Sequence, residues 1–247
     1  MNAFTNQVKT NIIRIIVRNP RFMAFDIGVP ALFYILFTKV MNQGLPASFE
    51  KTYLVSMAIY ATLLSSIITV ANTVLSDKEQ AYIRFIDVSP VSRNTYYASM
   101  GMVLLILTMV EIAVIELIAK LYIGVSMSVI NWLVILTVVT IASIPLMIFG
   151  VSLSFVGSNT IVNLMVNLIV FPAAILSGLW WPLSMMPTWS QTIGKLLPTY
   201  QTSVIVNDVM KQTAVPLKMI GGELVWLVLA IGLLVVVQKI QRTKRAQ

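Results

Sequence analysis

The sequence predicts an all-α, polytopic membrane protein. It should have six transmembrane helices, an N-terminal amphipathic interfacial helix and an external re-entrant or interfacial helical element between spans five and six. Three observations carry this expectation. Hydrophobic residues make up 58% of the 247 and charged residues 11%, against roughly 25% charged in a soluble domain. Mean hydropathy is +0.88. The apolar residues gather into stretches of about 20, the length that crosses the hydrocarbon core of a bilayer. A water-soluble fold of this length has no polar exterior large enough to hide so much apolar surface, and the bilayer removes that conflict.

Read in order, the candidate spans are 24–41, 53–75, 98–121, 130–153, 160–181 and 219–238. Asp26 and Lys39 sit at the two ends of the first, where each can snorkel to an interface. No soluble domain of ordinary size fits between the spans. The expectation is one transmembrane domain over 1–247, with a cytoplasmic helix at 1–23, a cytoplasmic loop at 76–97 and an external segment at 182–218.

Charge sets the orientation. With the N-terminus inside, the inner pieces carry Lys9, Arg14, Arg18, Arg21, Lys78, Arg84, Arg93, Lys239, Arg242, Lys244 and Arg245, and the outer side holds six lysines. That asymmetry places both termini in the cytoplasm. The net charge of +8 belongs to these membrane borders and to anionic lipid, and not to nucleic acid.

Residues 1–19 come first. Phe4, Val8, Ile12, Ile15 and Ile16 share one helical arc, and Gln7, Thr10, Asn11, Arg14, Arg18 and Arg21 share the opposite one. The segment reads as an amphipathic helix in the headgroup layer that stops at Asn19-Pro20. It either anchors the chain or also touches a cytoplasmic partner. Lys9, Arg14 and Arg18 interrupt the apolar positions, so no cleavable signal peptide is expected.

The 76–97 loop opens with Ser76 three residues before Glu79, a capping-box spacing. Tyr82, Phe85 and Ile86 then recur at helical spacing, and Pro90 closes the segment. A short helix along the membrane follows, with Lys78, Glu79, Arg84 and Asp87 open to solvent or to a partner. It is either a docking element or a solvated connector.

Inside the membrane, Glu116 precedes Lys120 by four residues, which favours an ion pair. Glu111 has no such partner. At mid-span it must be protonated, paired across helices or set in a polar cavity. It serves either transport directly or a structural bond. Asn159, Asn163 and Asn167 recur every four residues along span five, and that face either holds helices together or lines a wet path. Pro172 should kink or end the span. Ser177 and Gly178 follow, with Trp180 and Trp181 as an outer aromatic belt. Pro182, Pro187 and Pro198 punctuate the external segment, and Trp189, Ile193, Leu196 and Leu197 form one apolar stripe there. This region is a candidate external gate.

Several chemistries are closed to this chain. It has no cysteine and no histidine. That excludes disulfides, thiol catalysis, Ser-His-Asp hydrolysis and HExxH metalloprotease chemistry. No GxxxxGK[ST] phosphate loop is present, since Gly194-Lys195 lacks the flanking residues.

Three segments resemble the type-2 ABC transporter permeases, the membrane subunits of bacterial ATP-driven exporters. They are Arg18-Asn19-Pro20-Arg21 leading to Pro30, the stretch Asp77-Lys78-Glu79 with Pro90-Val91-Ser92-Arg93, and the run from Leu176 to Pro182-Leu183 continued by Met186-Pro187-Thr188-Trp189 and Leu197-Pro198-Thr199-Tyr200. The resemblance covers nearly the whole chain in order. One departure is plain: the family's coupling loop usually has Gly-Thr-Leu after the acidic residue, and here Ala81, Tyr82 and Ile83 stand there.

The resemblance implies a bacterial inner-membrane protein that exports a drug, peptide, lipid or similar amphiphile. Lys78, Glu79, Tyr82, Ile83, Arg84 and Phe85 would then contact a separate ABC ATP-binding subunit. ATP and Mg are expected on that subunit and no cofactor on this chain, which would not itself be an enzyme. A second permease chain, identical or different, and membrane lipid complete the expected partners. Two other classes stay open: a proton-coupled secondary transporter using Glu111, and a non-transporting membrane immunity or scaffold protein.

Overall fold

The computed structural model describes residues 3–17, 20–41, 46–89 and 91–246. Arg18, Asn19 and Pro90 lie outside the described residues, as do the side chains of Pro20, Arg21, Ile83, Asp87 and Arg93. The expected stop at Asn19-Pro20 and the Arg18–Arg21 motif therefore fall outside them.

The protein is an all-α membrane bundle. Its helices are α1 (Ala3–Asn11), α2 (Pro20–Ile35), α3 (Ala47–Leu64), α4 (Val70–Glu79), α5 (Tyr82–Asp87), α6 (Arg93–Ile118), α7 (Val129–Leu153), α8 (Asn159–Leu176), α9 (Thr188–Gly194), α10 (Pro198–Met210) and α11 (Leu217–Ala246). Wider π-helical turns extend α1 over Ile12–Val17, α2 over Leu36–Val40 and α6 over Ala119–Ile123, and a fourth joins α3 to α4 over Ser65–Thr69.

Among the described residues, five helices are long and apolar enough to cross a membrane: Ser48–Glu79, Asn94–Ile123, Val129–Leu153, Asn159–Leu176 and Leu217–Gln241. They match the second to sixth expected spans. The first expected span corresponds to α2 and its π-turn, which is not among the five.

The α3–α4 helix is the axis of the bundle. No charged residue occurs between Lys51 and Asp77. A helix apolar on every side is one that buries every side, and Tyr53 to Ala71 is buried without interruption. Helices α2, α6, α7, α8 and α10 surround this axis. At Gly150 of α7, an added Cβ would overlap the Ser66 carbonyl oxygen of the π-turn, so only glycine permits that crossing. Helix α11 lies outermost, against α7 and α10, with Leu224, Val225, Val228 and Leu229 exposed.

Local signals account for several helix ends. The Ser92 Oγ accepts the Thr95 N–H at 3.1 Å, and the Ser128 Oγ accepts the Asn131 N–H at 3.2 Å. Both are N-caps. Pro198 opens α10 at its first turn, where its missing N–H costs nothing.

Two expected boundaries shift. Helix α8 runs through Pro172 to Leu176 and stops where Gly178 adopts φ +79°. Ser76 does not cap a new helix, because Val74, Leu75 and Asp77 stay buried and carry α4 on to Glu79. The break comes at Ala81, with φ 55°.

Candidate functional site

At one end of the bundle, α1, α4, α5 and α6 converge on Asp77. This carboxylate is 4% exposed. It accepts hydrogen bonds from the Arg14 guanidinium of α1's π-turn and from the Tyr96 hydroxyl of α6. Burial opposes the charge on Arg14, but the Asp77 carboxylate outweighs it and holds the guanidinium above its ordinary range. The guanidinium also lies over the Tyr82 ring, 4.2 Å from its centroid. Asn11, fully buried, donates to the Ser99 Oγ at 2.9 Å, and Gln7 donates to the Tyr82 hydroxyl at 3.3 Å.

This geometry changes the reading of the N-terminal helix. Gln7, Asn11 and Arg14 turn inward, while Ile13 and Val17 are exposed. The buried Asp77 and Tyr96 need polar partners, and the polar face of α1 supplies them. The sequence reading did not single out Arg14, Asp77 or Tyr96 as site residues. The signal was present, because Asp77 follows Val70 and Val74 on the buried face of α4.

The six residues expected to meet an ATPase divide. Glu79, Arg84 and Phe85 are exposed, with Phe85 at 63%, and Val88 beside them is more exposed still. Tyr82 is half-buried and packs on Tyr96 with ring centroids 5.8 Å apart. Lys78 is not open to solvent as expected. Its Nζ donates to the Ser154 carbonyl at 2.9 Å and lies over the Phe155 ring, tying α4 to the α7–α8 turn. The side chain of Ile83 lies outside the described residues.

Within the membrane, Glu111 on α6 is fully buried and neither of its carboxylate oxygens has a hydrogen-bond partner. Asp26 on α2 does not snorkel. It is 1% exposed, and its Oδ2 accepts the Thr69 hydroxyl at 2.5 Å. The expected Glu116–Lys120 pair does not form: Glu116 Oε1 has no partner and Lys120 is exposed. Lys120 falls in the wider turn Ala119–Ile123, which changes the angle between the two side chains. Asn159 and Asn167 are exposed and Asn163 half-buried. They bond along their own helix, Asn163 to Asn159 and Asn167 Nδ2 to the Asn163 carbonyl at 2.7 Å. Among the described residues, no hydrogen bond from these asparagine side chains reaches another helix.

At the opposite end, the expected belt splits. Trp180 points into the bundle, edge-on to Phe33 at 5.2 Å and to Tyr60 at 5.5 Å, while Trp181 is 46% exposed. Gly178, Trp180, Trp181 and Pro182 face Phe49, Thr52, Tyr53 and Ser56 across a cavity of about 110 Å³. Ser177 is buried and donates to the Ala173 carbonyl at 2.6 Å.

Pro187 precedes α9, whose Trp189 is 64% exposed, with Ile193 and Leu196 exposed alongside. That stripe faces outward, as an interfacial helix does. Helix α10 is the element that packs back into the bundle, with Pro198, Thr199, Thr202 and Val206 buried. The Trp226 Nε1–H donates to the Leu196 carbonyl at 2.8 Å, and the Thr202 hydroxyl donates to Glu223 at 2.6 Å. These contacts with α11 were not foreseen. Pro198 also lines an apolar cavity of about 90 Å³ with Leu63, Pro145 and Trp226.

The family model for the ABC-2 family transporter protein matches residues 20–237. The chain belongs to that family. A putative transport permease, YvfS, of Bacillus subtilis (strain 168) is 25% identical over 202 residues, covering 81% of this chain and 82% of that protein. No solved structure matches the chain. Membership makes it a multi-pass membrane transport permease of the ABC class, and an ABC-2 permease works in general with an ABC ATP-binding partner.

Proposed function

We propose that this chain is the membrane-spanning subunit of an ATP-driven exporter in a bacterial cell membrane, with both termini cytoplasmic. A separate subunit binds ATP and Mg and hydrolyses the nucleotide. It docks on the α5 surface formed by Glu79, Arg84, Phe85 and Val88.

The observation that carries this reading is the two-sidedness of α5. Phe85 on its outer face and Val88 directly after the helix are both exposed, an apolar pair that water alone does not favour. Its inner face, through Tyr82, is packed on Tyr96 and under Arg14. Force applied to α5 reaches α4 through Asp77, and α4 continues into the buried axis. The cargo is an amphiphile, in keeping with the apolar and aromatic lining of the two cavities. A second permease chain covers the exposed asparagine face of α8, because amide groups facing hydrocarbon lose hydrogen bonds that a partner helix restores.

Co-purification from detergent tests the docking reading. The protein should bring down an ATPase, and Phe85→Ala or Arg84→Ala should weaken the association. Cargo efflux that persists after deletion of every associated ATPase gene overturns it. The chain has no native cysteine, so orientation can be read against a clean background. In intact cells an impermeant maleimide should label Ser184→Cys and spare Gln80→Cys.

A further inference from the structure

We propose that the cavity between the start of α3 and the turn after α8 binds a neutral carbonyl group of an amphiphile, an ester, lactone or amide, which accepts a hydrogen bond from the Tyr53 hydroxyl. This rests on the export reading only in calling such an amphiphile cargo.

Two segments far apart in the sequence build this cavity of about 110 Å³. Phe49, Thr52, Tyr53 and Ser56 recur at helical spacing on α3, and Leu179, Trp180 and Trp181 face them after the Gly178 turn. Thr52, Trp181 and Pro182 are exposed, while Tyr53 and Leu179 are 5% and 1% exposed. The cavity therefore has a mouth and a floor. It has room for roughly three or four waters, or for one carbonyl with the first carbons on either side.

Most polar side chains of the lining are already engaged. The Thr52 hydroxyl donates to the Ser48 carbonyl at 3.2 Å, and the Ser56 hydroxyl donates to the Thr52 carbonyl at 3.3 Å. Tyr53 differs: among the described residues, its hydroxyl has no partner. The Trp180 Nε1–H has none either, although the Tyr60 hydroxyl lies near it without closing a bond. A buried phenol left unpaired costs stability, and Tyr53 is not free to turn away. Its ring lies parallel to Phe49 with centroids 5.2 Å apart, and against Phe37 at 5.4 Å. The cavity is the space left beside it.

The chemistry of the occupant follows from the lining. Among the described residues around the cavity, none is charged. A carboxylate or phosphate there loses its water with no cation in exchange, and an ammonium finds no carboxylate. A pure hydrocarbon fills the space and leaves the phenol unpaired. A carbonyl oxygen accepts from the phenol while its carbons meet the aromatic walls. Ligand pockets combine an apolar lining with a few fixed polar groups in this way. Here the rings are held by their neighbours before any ligand arrives, which lowers the cost of binding.

The test uses the full-length chain in lipid nanodiscs and benzophenone, a photoreactive probe with a neutral carbonyl between two rings. Mass mapping should place saturable adducts in residues 49–56 and 178–182, and methyl benzoate should compete. Ethylbenzene, which lacks the carbonyl, and the benzoate anion should compete roughly fivefold less well. In Tyr53→Phe the same labelling should need roughly five times more probe. Its unfolding midpoint without probe should stay equal or rise, because no hydrogen bond inside the bundle is lost. Ester-linked and ether-linked phosphatidylcholine separate two sources of the carbonyl. Labelling that strengthens in ether-linked bilayers, which hold no carbonyl, identifies the lipid's own ester as the occupant. Equal labelling in both identifies a free amphiphile.

Four results overturn the proposal. One is the absence of saturable labelling in the two segments. Another is ethylbenzene competing as well as methyl benzoate, which makes the cavity merely apolar. The third is phenyltrimethylammonium competing better than methyl benzoate, which makes it an aromatic cage for a cation. The fourth is Tyr53→Phe with a lowered midpoint and unaltered labelling, which makes Tyr53 a packing residue. Labelling that persists in a chain that exports nothing upholds the site and counts against the export reading alone.

Discussion

The two ends of the bundle are built on different physics. Around Asp77, a buried carboxylate takes a guanidinium from α1 and a phenol from α6, and Tyr82 of α5 packs on both. Charge-assisted bonds of this kind are short-ranged and directional. Around Trp180, the contacts are aromatic edges, with Phe33, Tyr60, Phe171 and Trp181 all within 6.2 Å between centroids. The backbone there is turned by Gly178 and by prolines. Aromatic contacts tolerate sliding that an ion pair does not. One end is held by directional bonds and the other by ring contacts that can slide.

Four substitutions break or sharpen this contrast. Asp77→Ala should have the largest effect, because it strands a partly buried Arg14 and removes the acceptor of Tyr96. A loss of about 3 kcal/mol is expected, the low end for a buried pair because Arg14 keeps some solvent contact. Thermal unfolding in detergent measures it, and hydrogen exchange should show α1 released. A midpoint unchanged from the unaltered protein would show that α1 is held by its apolar face alone.

Trp180→Ala should cost about 2 kcal/mol. Packing is the main force between helices in lipid, so the loss is smaller than for a water-soluble core. Its signature is local: faster exchange in α9 and in the start of α3, with α5 unaffected. Spread of the change to α5 would mean that the two ends are not mechanically separate.

Ala81→Gly should stabilise the turn by about 0.5–1 kcal/mol. A left-handed alanine is strained by roughly 1–2 kcal/mol, and glycine gives back part of the gain as unfolded-chain entropy. A lower unfolding midpoint would contradict the left-handed turn. Glycine is also what the family's coupling loop usually carries there, so the alanine spends stability at the hinge between α4 and α5.

Phe85→Ala should leave the unfolding midpoint within about 0.5 kcal/mol, as for an exposed position, while weakening ATPase co-purification. Loss of stability without loss of association would move Phe85 from a docking residue to a packing residue.

The helices were legible in the sequence because hydropathy sums over some 20 residues, and small errors cancel. The pairings were harder to read, because they depend on the rotational phase of each helix. The wider turns at Leu36–Val40, Ser65–Thr69 and Ala119–Ile123 reset that phase with no residue type that announces them. Lys120 lies in one of these turns, and its expected bond to Glu116 is missing. Asp26 looked like a span-end residue able to reach water, yet its neighbour in space is Thr69, 43 positions along the chain. Helix α10 was read as part of an external loop, because Gln201, Asn207 and Asp208 dilute its hydropathy. Its apolar residues are enough to pack on α3, α7 and α11. The 76–97 loop was legible in place but not in detail: Glu79 and Arg84 are exposed as expected, and Lys78 is tied to Ser154.

The buried axis has a consequence for how the chain is made. The most apolar 18-residue stretch of Ser48–Glu79 has mean hydropathy 2.0, enough to leave a ribosome-bound channel for lipid unaided. In the finished protein it touches almost no lipid at all. Most of its wall, namely α6, α7, α8 and α10, is translated after it. The newborn axis must therefore stay in borrowed surroundings until α10 returns to close the ring. A chain that stalls before that point presents the cell with an unclad helix.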